Sequence, residues 1–177
     1  MLTFNRKVVM AVLWPLLIGF SLEVFGQEDT GAIKFSLRSI DGGNITDADV
    51  RGKVVVFITT SIRLPVRARQ VASFRNLVRD YSPRGVDFYL VSTDSESRKS
   101  KYYVSDEQLR QFARELELPL KVLRDPAGAT MRKYGRDVIP SIVVLDKEGR
   151  EDGKPIRGYG RRSAASILRP QLARLTR

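Results

Sequence analysis

The sequence predicts an α/β fold in which helices cover both faces of a central mixed β-sheet. Two apolar runs rich in β-branched residues, 53–59 and 141–146, are typical of strands that are buried on both faces. Segments with a helical spacing of apolar residues separate the predicted strands, and the last two strands form a predicted hairpin. A sheet that contains both crossover connections and a hairpin is mixed, and its helices lie on its two faces.

The segment 1–26 is predicted to be a signal peptide for export. A basic pair precedes an apolar run at 8–20, which is too short to span a bilayer comfortably. Val24 and Gly26 then supply the small residues of a cleavage region. We therefore expect a mature domain of residues 27–177, periplasmic or secreted, with an uncleaved N-terminal membrane anchor as the alternative.

The first half of the mature chain contains two predicted strands and a helix. Apolar and polar residues alternate over 32–39, as they do on a half-buried strand, and turn formers follow. After the buried strand at 53–59, Pro65 is suited to the first turn of a helix. Apolar residues at near-helical spacing extend this helix to Tyr81, and the turn at 82–85 ends it.

The second half again alternates strands with helices. Ser105 and Gln108 have the spacing of a capping box, which predicts the start of a helix. Asp125 followed by Pro126 predicts an N-cap with proline in the first helical turn. The other predicted elements are strands at 86–92, 120–123 and 141–146, a polar loop at 93–104, a hairpin turn at 147–149, an edge strand at 155–159 and a helix at 163–175 disturbed at Pro170.

Five segments, taken in this order, resemble thioredoxin-like and peroxiredoxin-like proteins. Arg51-Gly52-Lys53 before an apolar strand is similar to an entry strand of these proteins, and the helix from Pro65 follows it. The resemblance spans about residues 32–175 and implies a thioredoxin-like fold, in the TlpA-like or AhpC-TSA-type redoxin branch. It also implies a cis peptide bond between Ile139 and Pro140. The remaining similar segments are 84–92, Asp125-Pro126 through Tyr134-Gly135, and Val138-Ile139-Pro140 through Gly149.

The residues that perform chemistry in these families are missing from this sequence. The chain has no cysteine and no histidine, which excludes thiol chemistry, Ser-His-Asp catalysis and the usual zinc, haem or copper sites. The Trp-Cys-x-x-Cys motif of the family aligns with 63–67, so that Leu64 and Arg67 occupy the cysteine positions. The hydroxyls at 59–61 have no base that the sequence places beside them. We expect no catalytic residue, no metal and no cofactor.

The leading functional hypothesis is a redox-inactive, non-catalytic binding module of the cell envelope. A helix N-terminus beside a proline loop favours an anion or an extended acidic peptide. Two alternatives stay open: a redoxin-type oxidoreductase or antioxidant protein with non-thiol or partner-supplied chemistry, and a basic protein that contacts envelope or membrane surfaces through its charge. The candidate binding residues are Arg63, Leu64, Pro65, Arg67, Ile139 and Pro140.

The formal net charge of +11 favours anionic partners. The charge excess belongs to the mature domain, because the predicted signal peptide contributes little to it. The basic and aromatic run at 157–162 is interpreted as the end of a strand and a turn, since an exported protein rarely meets nucleic acid. The loop that holds Asp94 and Glu96 is interpreted as solvated, and not as a cation site.

Overall fold

A seven-stranded sheet forms the centre of the computed structural model. The strands are β1 (Ser36–Ser39), β2 (Asn44–Thr46), β3 (Val54–Thr60), β4 (Val86–Ser92), β5 (Lys121–Arg124), β6 (Ser141–Leu145) and β7 (Ile156–Arg157). They stand in the order β2-β1-β5-β4-β3-β6-β7, with β3, β4 and β5 parallel and every other pairing antiparallel. The predicted signal peptide lies outside the described residues, which are 31–65, 68–117, 119–135, 138–154, 156–158 and 163–177.

Helices cover both faces of this sheet, as the sequence predicts. They are α1 (Ala68–Tyr81), α2 (Asp106–Glu115), α3 (Ala129–Lys133) and α4 (Ala164–Leu175). Buried apolar side chains of α1, α2 and α4 join one hydrophobic core, while Met131 of α3 joins another. The fold is a thioredoxin-like α/β sandwich. None of the helices in the described residues is long and apolar enough to cross a membrane.

The side chains of β3 divide between the two cores because successive residues of a strand point to opposite faces. Val54, Val56 and Ile58 pack on the face that carries α1 and α4. Val55 and Phe57 pack on the face that carries α3, where Phe57 meets the edge of the Phe35 ring at 5.4 Å. All seven residues of β3 are buried, which confirms the prediction of a central strand.

Several local predictions are confirmed in atomic detail. The backbone N–H of Gln108 donates to Ser105 Oγ at 3.2 Å, and the N–H of Ser105 donates to Gln108 Oε1 at 2.8 Å. This reciprocal pair is the capping box that starts α2. Gly85 takes a left-handed backbone conformation with φ of 81° directly after the short 3-10 turn that ends α1.

Other elements differ from the predictions at their ends. Strand β1 begins at Ser36 rather than Ala32, and Asn44 belongs to β2, a strand too short to show a periodicity. Helix α4 continues through Pro170 without a break. Residues 126–128 form a 3-10 turn rather than the first turn of a helix, so Asp125 instead accepts hydrogen bonds from the N–H groups of Thr130 and Met131, at 2.8 and 2.9 Å.

Candidate functional site

The two segments that carry the candidate residues leave the sheet at the same edge. Thr59 near the end of β3 is paired directly with Ser141 at the start of β6. The chain that follows β3, at 61–65, therefore lies beside the chain that precedes β6, at 138–140. The peptide bond between Ile139 and Pro140 is cis, as the resemblance implies.

The loop after β3 is held by the buried carboxylate of Asp94. Asp94 Oδ1 accepts a hydrogen bond from the Ser61 hydroxyl at 2.6 Å, and Oδ2 accepts one from the Ile62 N–H at 3.1 Å. The Ser92 hydroxyl donates to the same Oδ2 at 3.0 Å. Asp94 is 3% exposed, so the interpretation of this residue as part of a solvated loop is wrong.

Ser61 continues this arrangement into the candidate site. Its Oγ accepts a hydrogen bond from the Arg63 N–H at 3.2 Å, and its carbonyl accepts one from the Leu64 N–H at 3.1 Å. These bonds form a tight turn that presents residues 63–65. Leu64 is partly buried there, whereas Arg63 and Pro65 are exposed.

The predicted helix start is only partly visible. Pro65 is not helical, and the first described residue of α1 is Ala68. Arg67, one of the candidate binding residues, lies outside the described residues. The structure therefore brings together Arg63, Leu64, Pro65, Ile139 and Pro140 at one edge of the sheet, and the position of Arg67 stays a prediction.

Arg63 is oriented by the loop that follows β4. Its Nη2 donates to the Lys101 carbonyl at 2.8 Å, and its guanidinium carbon lies 5.8 Å from the centre of the Tyr102 ring. The Nζ atom of Lys101 lies 5.0 Å from the same ring centre. Tyr102 is 54% exposed, so a cation–aromatic cluster of Arg63, Lys101 and Tyr102 is presented to solvent beside the turn.

A buried arginine fixes the base of that loop. The Arg124 side chain is 2% exposed, and its Nη2 donates to Asp106 Oδ1 at 2.8 Å and to the Val104 carbonyl at 2.6 Å. Arg38 approaches Asp106 from the surface and also pairs with Glu96. Hydrogen bonds from Arg38 and then Arg124 lower the pKa of Asp106 to about 2. The loop at 93–104 is therefore anchored, although its tip is exposed.

Comparison with known proteins identifies the family. The sequence profile of the AhpC/TSA family matches residues 29–150. The chain belongs to the AhpC/TSA family. A candidate peroxiredoxin of Mycobacterium tuberculosis strain H37Rv is 26% identical over 129 residues, which cover 66% of this chain and 76% of that protein.

Solved structures similar to this AhpC/TSA protein show the same fold. A candidate thiol:disulfide interchange protein DsbE from Chlorobium tepidum has a TM-score of 0.67 at 19% identity, covering 83% of this chain and 96% of its own. The exposed lipoprotein thioredoxin of Streptococcus pneumoniae has a TM-score of 0.61 at 21% identity, covering 81% and 100%. A secreted disulfide oxidoreductase of M. tuberculosis has a TM-score of 0.62 at 16% identity, covering 80% and 96%.

This AhpC/TSA protein has the scaffold of the family without its thiols. Leu64 stands where the resemblance places the attacking cysteine. Ser61 is 7% exposed, and its hydroxyl donates to Asp94 in a hydrogen bond that helps to hold the turn. No group of three or more acidic side chains in the described part of the chain is placed to hold a metal ion. The exposed groups at this edge of the sheet are cationic and apolar side chains.

Sequence reasoning did not connect the residues that orient the site with the candidate binding residues, because they come from another strand connection. Asp94, Lys101 and Tyr102 all follow β4, whereas Ser61 and Arg63 follow β3. Since β3 and β4 are parallel neighbours, their carboxyl ends lie at one edge of the sheet. The signal that could have found Asp94 is therefore its distance of two residues from the end of a predicted parallel strand.

Proposed function

We propose that this AhpC/TSA protein is a redox-inactive binding protein, which holds an acidic extended segment of another protein at the edge formed by 61–65 and 138–140. The observation that carries the proposal is the guanidinium of Arg63, held in place beside Tyr102 and Lys101 where relatives are expected to act through thiols. The absence of cysteine from the chain supports a role that does not depend on a thiol.

Electrostatics favour an anionic partner at this edge. Two cations, Arg63 and Lys101, lie within 6 Å of one tyrosine ring, and the ring face attracts each of them. Further cations, Arg98 and Lys99, are exposed on the same loop. The first turn of α1 contains no acidic side chain that would offset the partial positive charge of a helix N-terminus. A carboxylate bound here would reduce the mutual repulsion of these cations.

The same edge offers apolar contact. Val138 is 46% exposed and Ile139 is 38% exposed, and both precede β6 beside the turn that presents Leu64. Apolar side chains next to fixed cations suit a segment in which acidic and apolar residues alternate, because successive side chains of an extended chain point in opposite directions.

The proposed place of action is outside the cytoplasm. The predicted signal peptide supports export, and the names of two structurally similar proteins describe one as secreted and the other as an exposed lipoprotein. The proposal extends this location to the present chain. In the envelope, the partner would be a protein segment or another anionic component of similar chemistry.

The test measures binding of defined peptides by fluorescence polarisation. Short blocked peptides with alternating valine and glutamate are compared with matched peptides carrying glutamine or lysine, at low and moderate salt. The native chain is compared with Arg63→Glu, and with Arg84→Glu as a control that carries the same charge change in the 3-10 turn after α1. We expect Arg63→Glu to weaken binding of the glutamate peptide by about fivefold or more, and Arg84→Glu to have a much smaller effect.

Each other result contradicts the proposal in a specific way. Equal loss in both variants would indicate that overall charge attracts the peptide and that the edge is not a site. Binding to anionic vesicles that is insensitive to Arg63→Glu would instead favour the charge-based surface protein. Turnover of a peroxide or disulfide by the cysteine-free chain would favour the enzyme.

A further inference from the structure

Two buried hydroxyl groups lie on neighbouring strands near the proposed site. Thr59 and Ser141 are 0% and 1% exposed, and they face each other across β3 and β6. Neither hydroxyl has a hydrogen-bond partner among the described residues. Since the large majority of buried polar side-chain atoms are hydrogen-bonded, a pair of exceptions at one place requires an explanation.

A pocket of about 240 Å³ adjoins Thr59 on the α3 side of the sheet. Thr59 lies on the same face of β3 as Phe57, whose ring is much larger than the Thr59 side chain. Gly128 adds to the pocket, since it has no side chain and takes a φ of 68° in the turn before α3. The residues that line the pocket are Thr59, Thr93, Ala127, Gly128, Met131, Arg132 and Ile139.

One wall of the pocket is cationic. Arg132 Nη1 donates to the carbonyl of Ala127, which holds the guanidinium beside the pocket. A guanidinium has five N–H donors, and this bond uses one of them. A Cβ atom on Gly128 would lie 3.9 Å from Arg132 Nη1 and 3.7 Å from Thr93 Cγ2, so these side chains surround the same space.

The lining of the pocket combines hydrogen-bond donors with apolar side chains. The guanidinium of Arg132 is a donor suited to a carboxylate, and so is the Thr59 hydroxyl, which has no acceptor among the described residues. Met131 and Ile139 offer apolar contact to the methylene groups that would carry it. The volume is well above the roughly 10–15 Å³ that a single water requires, so a short acidic side chain has room.

We propose that this pocket binds the carboxylate of one glutamate or aspartate side chain from the segment that docks at the edge. The assignment to a peptide rests on the proposed function, because Ile139 belongs both to the pocket wall and to the candidate binding residues. A free small carboxylate has the same chemistry and would occupy the same donors. Thr59 and Arg132 then determine which position of the bound segment has to be acidic.

The first arm of the test uses peptides in which each glutamate in turn is replaced by glutamine. We expect one replacement to weaken binding to the native chain by about tenfold, and the others to have smaller effects. Thr59→Val and Arg132→Gln should remove this position dependence. The matched controls Thr60→Val, whose side chain lies on the opposite face of β3, and Lys133→Gln should keep it.

Stability separates a lost ligand contact from a lost fold. Because the Thr59 hydroxyl has no hydrogen-bond partner among the described residues, Thr59→Val should unfold at the same or a higher denaturant concentration than the native protein. Arg63→Glu should weaken all acidic peptides and leave the position dependence in place. Failure of every peptide to bind would overturn the proposed function, whereas binding without position dependence would overturn the assignment of the pocket to a side chain of the peptide.

The second arm uses acetate and propionate and observes the methyl signals of Met131 and Thr59 by NMR. Shifts that saturate, and that the Met131 methyl no longer shows in Thr59→Val, would support a carboxylate site even if no peptide binds. The absence of shifts together with the absence of position dependence would overturn the proposal.

Discussion

The hydroxyl of Ser61 donates a hydrogen bond of 2.6 Å to the carboxylate of Asp94. This bond joins the loop after β3 to the loop after β4, and both residues are buried. The candidate site is therefore not a free loop on the surface. The loop after β3 is held by the buried carboxylate of Asp94, which also accepts hydrogen bonds from Ile62 and Ser92.

Replacement of Asp94 by alanine should destabilise the protein strongly. Three donors lose their common acceptor, and a buried donor without a partner is costly. We expect Asp94→Ala to lower the free energy of unfolding by about 3 kcal/mol, as measured by urea denaturation. Ser61→Ala removes a single donor and should cost about 1 kcal/mol. A loss for Asp94→Ala no larger than that for Ser61→Ala would show that the carboxylate does not hold the loop.

Arg124 should stabilise the loop that orients Arg63. Arg124→Met keeps much of the side-chain volume but removes the donors to Asp106 and to the Val104 carbonyl. Removing one partner of a fully buried ion pair costs roughly 3–5 kcal/mol, and because the Asp106 side chain is 30% exposed we expect a smaller loss of about 2 kcal/mol.

Hydrogen exchange provides the local measurement for this variant. Amide protons at 95–104 should exchange faster in Arg124→Met, while those of β3 should change little. Arg79→Met, which removes an exposed guanidinium from α1, is the control. Unchanged exchange at 95–104 would contradict an anchoring role of Arg124.

The pKa of Asp106 predicts an acid-sensitive contribution to stability. Hydrogen bonds from Arg38 and Arg124 lower this pKa from 3.8 to about 2. A carboxylate with a depressed pKa stabilises the fold above its unfolded pKa, and the contribution is lost as the pH falls through the folded pKa. The free energy of unfolding should therefore fall from about pH 5 to about pH 2, and less steeply in Asp106→Asn. Parallel curves for the two proteins, followed by urea unfolding, would contradict this prediction.

The strands at the centre of the sheet could be predicted because their residues favour one kind of secondary structure. A continuous run of apolar, β-branched residues such as that of β3 is typical of a strand that is buried on both faces. The capping box at Ser105 and Gln108 is likewise local, since both partners lie within one helical turn. The cis bond at Pro140 and the thioredoxin-like fold followed from the resemblance and not from such local rules.

The interactions that shape the site could not be predicted because they are distant in sequence. Asp94 is 33 residues from Ser61, and nothing in its polar neighbourhood indicates that it is buried. Arg124 is a charged residue at the end of β5, where the sequence alone indicates a surface position. It is buried because its guanidinium donates to the Val104 carbonyl and to Asp106 at the start of α2. Tertiary contacts of this kind decide the burial of a charged residue, and local pattern does not.

The Tyr89 phenol should ionise at a higher pH than an ordinary tyrosine, and its ionisation should destabilise the fold. Burial, followed by the charge of Asp87, raises the pKa of Tyr89 to about 12. The stability that the neutral phenol provides is complete below its ordinary pKa of 10.0 and is lost as the pH rises towards 12. Tyrosinate absorbance should show a step near pH 12 that is missing in Tyr89→Phe. A native titration completed near pH 10 would contradict the raised pKa of Tyr89.

A thiol introduced by Leu64→Cys would show how much of the electrostatic environment expected of the family remains. Leu64 follows Arg63 and precedes α1, and a neighbouring guanidinium lowers the pKa of a thiol below its usual value of about 8.5. The chain has no other cysteine, so alkylation by iodoacetamide reports this position alone. The control is Ile167→Cys on α4, where the native side chain is 41% exposed. We expect the alkylation rate of the thiol in Leu64→Cys to rise at a lower pH than the alkylation rate of the control. Equal midpoint pH values for the two alkylation rates would show that Arg63 does not lower the pKa of a thiol at position 64.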